Sequence, residues 1–365
     1  MSVAHGTPLA ALGWDRRLDA LFAEHAARGL LPARVLSEQR GSYQVAGPTG
    51  ELTATITGRF RNDVTRAEDY PAVGDWLALA PAVTGQALVQ AVLPRRSRFA
   101  RPARGDIPGA QVVAANVDMV FVVAALDHDF NLRRLERYMA LAWSSGAEPV
   151  ILLNKADLCQ EVGERLAEVR GVAPGVPVYA LSARDGSGIE PIEPLLEAGR
   201  TVALIGSSGV GKSTLVNALL GWQRQATRDV RADDQRGRHT TTRRELIVLP
   251  SGALLIDSPG MRAVGMWDVD EGLASAFADV EQFASACRFS DCTHGSEPGC
   301  AVQAAIERGD LAETRLHSQQ RLARESAALA RRVDPETRAN SRRKWKAIHK
   351  SVRNHMRTKY GPEAG

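Results

Sequence analysis

The spacing of apolar positions changes along the chain, and each spacing predicts a different kind of element. In residues 1–30, Trp14, Leu18, Leu21 and Phe22 recur at helical intervals and Gly29 suits a stop, so this N-terminal extension is expected to be helical at best. Residues 31–100 hold short alternating runs (ARVLSE, SYQVAG, ELTATITGRF, DWLALAP, ALVQAVLP) separated by turn formers such as GPTG and VGD. Five short strands of this kind predict a small closed barrel, most economically an OB-fold, with an SH3-like barrel as the other small β-domain that fits. From Val117 strands alternate with amphipathic segments such as LRRLERYMALAW. The apolar runs DMVFVVAAL, PVILLN, VPVYALS, TVALIG and ALLID predict buried parallel strands covered by helices on both faces, with the ligand at the carboxyl ends of the strands. Residues 101–280 are assigned to this α/β domain. Residues 301–328 read as helices, with AVQAAIERG stopping at Gly309. In the last segment Trp345, Ile348, Val352 and Met356 again fall at helical spacing. A helix laid on RNA and a packing helix both fit there.

Composition narrows the class. A chain of 365 residues, 44% hydrophobic and 24% charged, excludes wholesale disorder, collagen and coiled coil. The longest apolar run, Met119–Leu126, is far short of the about 20 residues a membrane helix needs. The N-terminus lacks a basic stretch followed by an apolar one, and four cysteines are too few for a disulfide scaffold. A cytoplasmic, reducing location with no membrane partner is expected. Charge is uneven: residues 331–365 carry eleven Lys/Arg against three Asp/Glu, which makes the tail +8 and everything before it −4. Such a tail suits a polyanion partner or simply stays solvated. The run PRRSRFARPAR, with five arginines between Arg95 and Arg104, is open to the same two readings, phosphate contact or solvated connector.

The chemistry is most explicit at GSSGVGKST, comprising Gly206, Ser207, Ser208, Gly209, Val210, Gly211, Lys212, Ser213 and Thr214. It has the P-loop form, follows an apolar strand and precedes a helical LVNALLG. Its glycines let backbone N–H groups approach phosphates, Lys212 is expected at the β- and γ-phosphates, and Ser213 on Mg²⁺. DSPG closes the run ALLID, so Asp257 is expected to hold Mg²⁺ through a water and the Gly260 amide to sense the γ-phosphate. Between them GRHTTT reads as a switch segment whose threonine completes the Mg²⁺ shell, the choice among Thr240, Thr241 and Thr242 staying open.

NKAD and SAR end two further strands. Asp157 can accept from guanine N1–H and the 2-amino group, Lys155 can lie along the base, and the Ala183 amide can meet O6; Asn154 and Ser182 complete these loops. Adenine would leave a carboxylate facing a lone pair, a mismatch rejected by roughly 10⁴-fold or more. The nucleotide is therefore expected to be GTP. Base recognition here precedes phosphate recognition, the reverse of Ras-like GTPases, and a chain cut and rejoined where its termini lie close preserves such a site.

The permuted order, GRHTTT and DSPG, together with VGDW, VLPRRSRFARP and AANVDMVFVV, resembles the ribosome small-subunit-dependent GTPase A family over about residues 31–330. The resemblance implies an OB-fold, a permuted GTPase domain and a C-terminal zinc domain. It also implies a bacterial rRNA-binding factor that binds the small ribosomal subunit late in assembly. Such a factor hydrolyses GTP to release itself and another assembly factor. A monomer is expected. Met261 stands where a water-orienting glutamine often follows D-x-x-G. His239 is a candidate substitute, and packing or RNA contact is its other reading. The rival function is a nucleotide-sensing RNA-binding module in which hydrolysis is incidental; a P-loop ATPase or kinase is a third. Cys287, Cys292, His294 and Cys300 form C-x₄-C-x-H-x₅-C, a closed set for one structural Zn²⁺, and the resemblance supports all four as ligands. Residues 281–330 are read as this zinc domain, mostly helical, and 331–365 as a basic tail.

Overall fold

Alternation in the first half of the chain becomes a closed barrel in the computed structural model, which describes residues 9–39, 41–80, 86–102, 110–221, 244–257, 270–295 and 297–333. Helix α1 (Arg16–Ala27) is capped by Asp15, whose carboxylate accepts from Leu18 N at 2.9 Å. Its Leu18 and Phe22 are buried, and Trp14 stands edge-on to Trp76 with ring centres 4.8 Å apart. The extension is thus a plug on the barrel. The barrel strands are β1 (Leu31–Gln39), β2 (Ser42–Gly47), β3 (Gly50–Ile56), β4 (Trp76–Ala80) and β5 (Ala87–Val92). They run in the order β1-β2-β3-β5-β4 and close through β1–β4, with β3 and β5 parallel. This is the OB arrangement, and Ala33, Val35, Val45, Leu77 and Val89 fill it. ELTATITGRF reads as one strand but is two elements. Thr57 Oγ1 accepts from Phe60 N at 3.0 Å and caps α2 (Gly58–Asp63), so a side-chain cap overrides strand propensity.

The arginine-rich connector is built into the fold. Arg95 makes a two-pronged pair with buried Asp75 (2.8 and 2.7 Å), Arg96 pairs with Asp118, and Arg101 donates to Gln111. β6 (Arg98–Pro102) pairs with β7 (Ala110–Ala115) as a separate two-stranded sheet.

The second half supplies β8 (Met119–Ala125), α3 (Leu132–Ser145), β9 (Glu148–Asn154), α4 (Val162–Val172), β10 (Val178–Ala180), β11 (Thr201–Ile205), α5 (Lys212–Leu219), β12 (Glu245–Val248) and β13 (Leu254–Asp257). Strand order is β10-β9-β8-β11-β13-β12; the first five are parallel and β12 is antiparallel. β11 is buried along its whole length, as a strand covered on both faces must be. β12 also meets β1 at Ser37↔Glu245, which joins barrel and α/β sheet into one eleven-stranded sheet. Arg34 of β1, 1% exposed, ties the barrel to the N-terminal segment and to β11, donating to Gly74 O (3.2 Å), Asn116 O (3.1 Å), Thr201 Oγ1 (2.8 Å) and Leu12 O. Burial pulls its pKa down to about 10, and the carbonyl cage keeps it bonded. The chain then forms α6 (Asp270–Ala276), α7 (Ala278–Ala284), α8 (Ala301–Arg308) and α9 (Glu313–Val333). α6 crosses α3 so closely that a Cβ on Gly272 would collide with Ala140 O and Ser144 N.

Candidate functional site

Three motifs far apart in sequence meet at the carboxyl ends of β9, β10 and β11. Asn154, 2% exposed at the end of β9, donates from Nδ2 to Val210 O of the phosphate loop (2.8 Å) and accepts at Oδ1 from Ala183 N of the SAR loop (2.9 Å). One amide therefore ties NKAD, SAR and GSSGVGKST together. The glycines of the loop are required by geometry. Gly206 (φ 147°) abuts Val123 O, and Gly211 (φ 92°) abuts the Asn154 amide; a Cβ at either would collide. Gly211 leads into α5, so Lys212 and the exposed Ser213 and Thr214 form its first turn, where unpaired N–H groups favour an anion. Lys212 Nζ donates to Gly206 O (2.8 Å) and Ser207 O, which curls it over the loop. Ser207 is half-buried, Ser208 and Gly209 are exposed, and Val210 is buried. β13 is the parallel neighbour of β11, which places Asp257 at the strand end beside the phosphate loop.

On the base side, Lys155 has a left-handed backbone (φ 64°) and Nζ 2.8 Å from Asp127 Oδ2. That hydrogen bond is the main reason the Asp127 carboxyl titrates below its usual range. Asp157 is exposed in a short turn after β9, and Ser182 is fully buried. The Ala183 amide expected at guanine O6 points at Asn154 Oδ1, so base and Asn154 compete for one N–H. His239, Thr240, Thr241, Thr242, Gly260 and Met261 lie outside the described residues.

Sequence reading missed the partners of these motifs. Asp127 holds Lys155, and Arg134 in the first turn of α3 donates to Ser207 Oγ at 2.8 Å. Both follow β8, so the carboxyl-end rule pointed to the neighbourhood but not to the residues.

The four predicted metal ligands converge. The donor atoms of Cys287, Cys292, His294 and Cys300 lie within 4.8 Å of one another. His294 Nδ1 is 3.7 Å from Cys287 Sγ and 3.6 Å from Cys300 Sγ, and those two sulfurs are 4.0 Å apart. A tetrahedral zinc site has donor–donor edges of about 3.5–3.8 Å, so the set fits. The His294 backbone N–H favours the Cys292 thiolate, but burial and the neighbouring thiols of Cys300 and Cys287 push it up to about 11. A dication at the centre removes that conflict. The ligand loop is braced from outside: Gln303 Nε2 donates to His294 O (2.6 Å), and Glu297 accepts from Thr293 N (3.0 Å) and Gly295 N (2.8 Å). With the Thr293 hydroxyl as the largest cause, these bonds hold the Glu297 carboxyl down to about 2.

Comparison with known proteins agrees with this geometry. Residues 92–267 match the model of the family described as RsgA GTPase. The chain is 49% identical to the small ribosomal subunit biogenesis GTPase RsgA of Opitutus terrae over 94% of this chain and 97% of that protein. The crystal structure of YjeQ from Thermotoga maritima superposes with a TM-score of 0.61 at 27% identity, covering 80% of this chain and 97% of its own. YloQ, described as a circularly permuted GTPase, shares the fold with a TM-score of 0.59 at 23% identity over 81% of this chain and 94% of its own. With base loops before phosphate loop, an OB barrel in front and a Cys₃His cluster behind, the chain belongs to the RsgA GTPase family.

Proposed function

We propose that this GTPase binds the small ribosomal subunit and its rRNA, and couples GTP hydrolysis to late maturation of that subunit and to release of itself and an assembly factor. The observation that carries the nucleotide half is Asn154, which clamps both base loops to the phosphate loop in the permuted order. The names of its relatives support the subunit half. In this reading Asp157 and Lys155 take guanine with the SAR loop. The N–H groups from Gly206 to Thr214 wrap the phosphates, and Lys212 leaves its carbonyl partners for the β- and γ-oxygens. Ser213 and Asp257 hold Mg²⁺, which supplies charge neutralisation for phosphoryl transfer. One switch threonine among Thr240, Thr241 and Thr242 would complete the Mg²⁺ shell, Gly260 would sense the γ-phosphate, and His239 would orient the attacking water. Cys287, Cys292, His294 and Cys300 hold one structural Zn²⁺; four protein donors leave no open position for catalysis. The boundaries are 31–100 for the barrel, 101–280 for the GTPase domain and 281–330 for the zinc domain. The working form is a cytoplasmic monomer with a basic tail.

Phosphate release and cosedimentation with purified subunits test the proposal. Turnover is expected to be slow alone and strongly raised by small subunits, with binding favoured by a non-hydrolysable GTP analogue over GDP. Fast turnover indifferent to subunits, or equal binding to large subunits, would overturn it. Ser213→Ala is expected to abolish the stimulated rate; its retention would favour the nucleotide-sensing alternative.

A further inference from the structure

Helix α3 stands between the phosphate loop and the C-terminal helices, and its side chains divide by face. At about 100° per residue, Leu135, Met139 and Ala142 share one face and are buried in the main core. Arg134 and Tyr138, one turn apart, share a second, and Glu136, Arg137, Ala140 and Ser144 fall on a third.

The second face holds the phosphate loop. Arg134 Nη1 donates to Ser207 Oγ at 2.8 Å, and the Tyr138 hydroxyl lies 3.4 Å from the same oxygen. Asp129 fixes the guanidinium with two hydrogen bonds, 2.5 and 2.9 Å. A fork held at both nitrogens has one orientation, which an ammonium would not have. Ser207 is thus gripped at its hydroxyl by Arg134 and at its carbonyl by Lys212.

The third face holds the C-terminal helices. Glu136 Oε1 pairs with Arg315 Nη1 at 2.7 Å, both about 5% exposed, and Arg137 pairs with Glu325 at 2.6 Å. Arg315 also reaches Asp279 (2.8 and 2.7 Å) and Ala276 O (3.0 Å), and stacks 4.4 Å over Phe277. Sequence gave no reason to single out any of these residues.

We propose that Arg134 is a positioning residue for GTP binding and hydrolysis, acting through Ser207. Helix α3 makes the seating of the C-terminal helices part of the same constraint. A hydrogen-bonded helix moves as a unit, so a shift at the Glu136–Arg315 contact displaces Arg134 on the opposite side. The loop whose amides take the phosphates is then tuned by how the C-terminal domain sits.

Two double-mutant cycles on the free, full-length protein test this, read as affinity for a fluorescent GTP analogue and as single-turnover rate. Neither needs a ribosome, so they stand apart from the subunit-directed proposal above. Arg134→Gln and Ser207→Ala are each expected to weaken binding about tenfold, the scale of one charged hydrogen bond. The double variant is expected to be no worse than the poorer single one. Arg134→Lys should not rescue, and Asp129→Asn should act in the same direction with smaller size. In the second cycle Glu136→Leu is combined with Arg315→Met and Asp279→Asn, so that neither carboxylate bonded by Arg315 is left as an unpaired charge. With zinc content retained, it is expected to weaken binding severalfold in the parent and not at all beside Arg134→Gln. Effects of Arg134 and Ser207 that simply multiply would overturn the positioning role. An equal effect of the Glu136/Asp279/Arg315 set in both backgrounds would overturn the relay.

Discussion

Replacing Asn154 by alanine removes one side chain that satisfies two separate loops. Asn154 is 2% exposed, and its partners Val210 and Ala183 are 4% and 1% exposed. Truncation therefore strands a buried carbonyl and a buried N–H that were bonded at 2.8 and 2.9 Å. Each unsatisfied group costs about 1–3 kcal/mol. A water entering the vacated volume recovers part of this, which places the total near 3 kcal/mol. At about 2–4 °C per kcal/mol for a unit of this size, the melting midpoint should fall by about 6–12 °C. If nucleotide binding must restore the lost geometry, affinity falls by up to about 100-fold. Differential scanning calorimetry and titration with fluorescent GDP read the two effects. Asn154→Asp adds a sign. Its carboxylate still accepts from Ala183, but its second oxygen faces the Val210 carbonyl, so the folded state favours the protonated acid and raises its pKa. Stability is then greatest below the unfolded value of about 3.9, and is lost as pH rises from there through the raised folded value. The aspartate variant should recover on acidification, when the acid can donate to Val210, and the alanine variant should not. An unchanged midpoint for alanine, or a parallel pH response of the two, would refute the clamp.

Other outcomes follow from the same geometry. Gly211→Ala should abolish nucleotide binding, because its Cβ would collide with the Asn154 amide at a φ of 92°; wild-type affinity on titration would contradict this. Metal analysis should find one zinc per chain, and Cys300→Ala should lose it and weaken the helical signal of α8, since alanine also removes the N-cap that accepts from Gln303 N at 3.5 Å. Arg315→Met alone should destabilise by about 3–5 kcal/mol by stranding Glu136 and Asp279, and adding Glu136→Leu together with Asp279→Asn should restore most of it; urea unfolding of the variants measures the difference. The Asp127–Lys155 contact should contribute above the ordinary carboxylate pKa and fade as pH falls through the lowered folded value, and Asp127→Asn should remove that dependence from a carboxyl NMR titration.

Local chemistry was readable without a fold. The P-loop spacing, NKAD, SAR and the Cys₃His pattern are short-range statements about which atoms a phosphate, a base or a metal requires, and the structure brings the three loops together and the four Cys/His donors together. The barrel was readable from period-two alternation, except where Thr57 ended β3 early through a bond to its own chain. Residues that act through distant partners were not readable. Arg95 and Arg96 look like phosphate ligands until Asp75 and Asp118 are seen beside them. Arg34, Arg134, Glu136 and Arg315 look like ordinary surface charges. What distinguishes Arg34, Glu136 and Arg315 is burial with a partner up to 179 positions away, and what distinguishes the half-exposed Arg134 is its bond to Ser207. A charge's solvation and partners depend on the surrounding protein, and only packing in three dimensions creates those surroundings. Sequence alone therefore singled out the residues whose chemistry suits a nucleotide and a metal; tertiary structure decided which of them stand together and which charges are spent holding the fold in place.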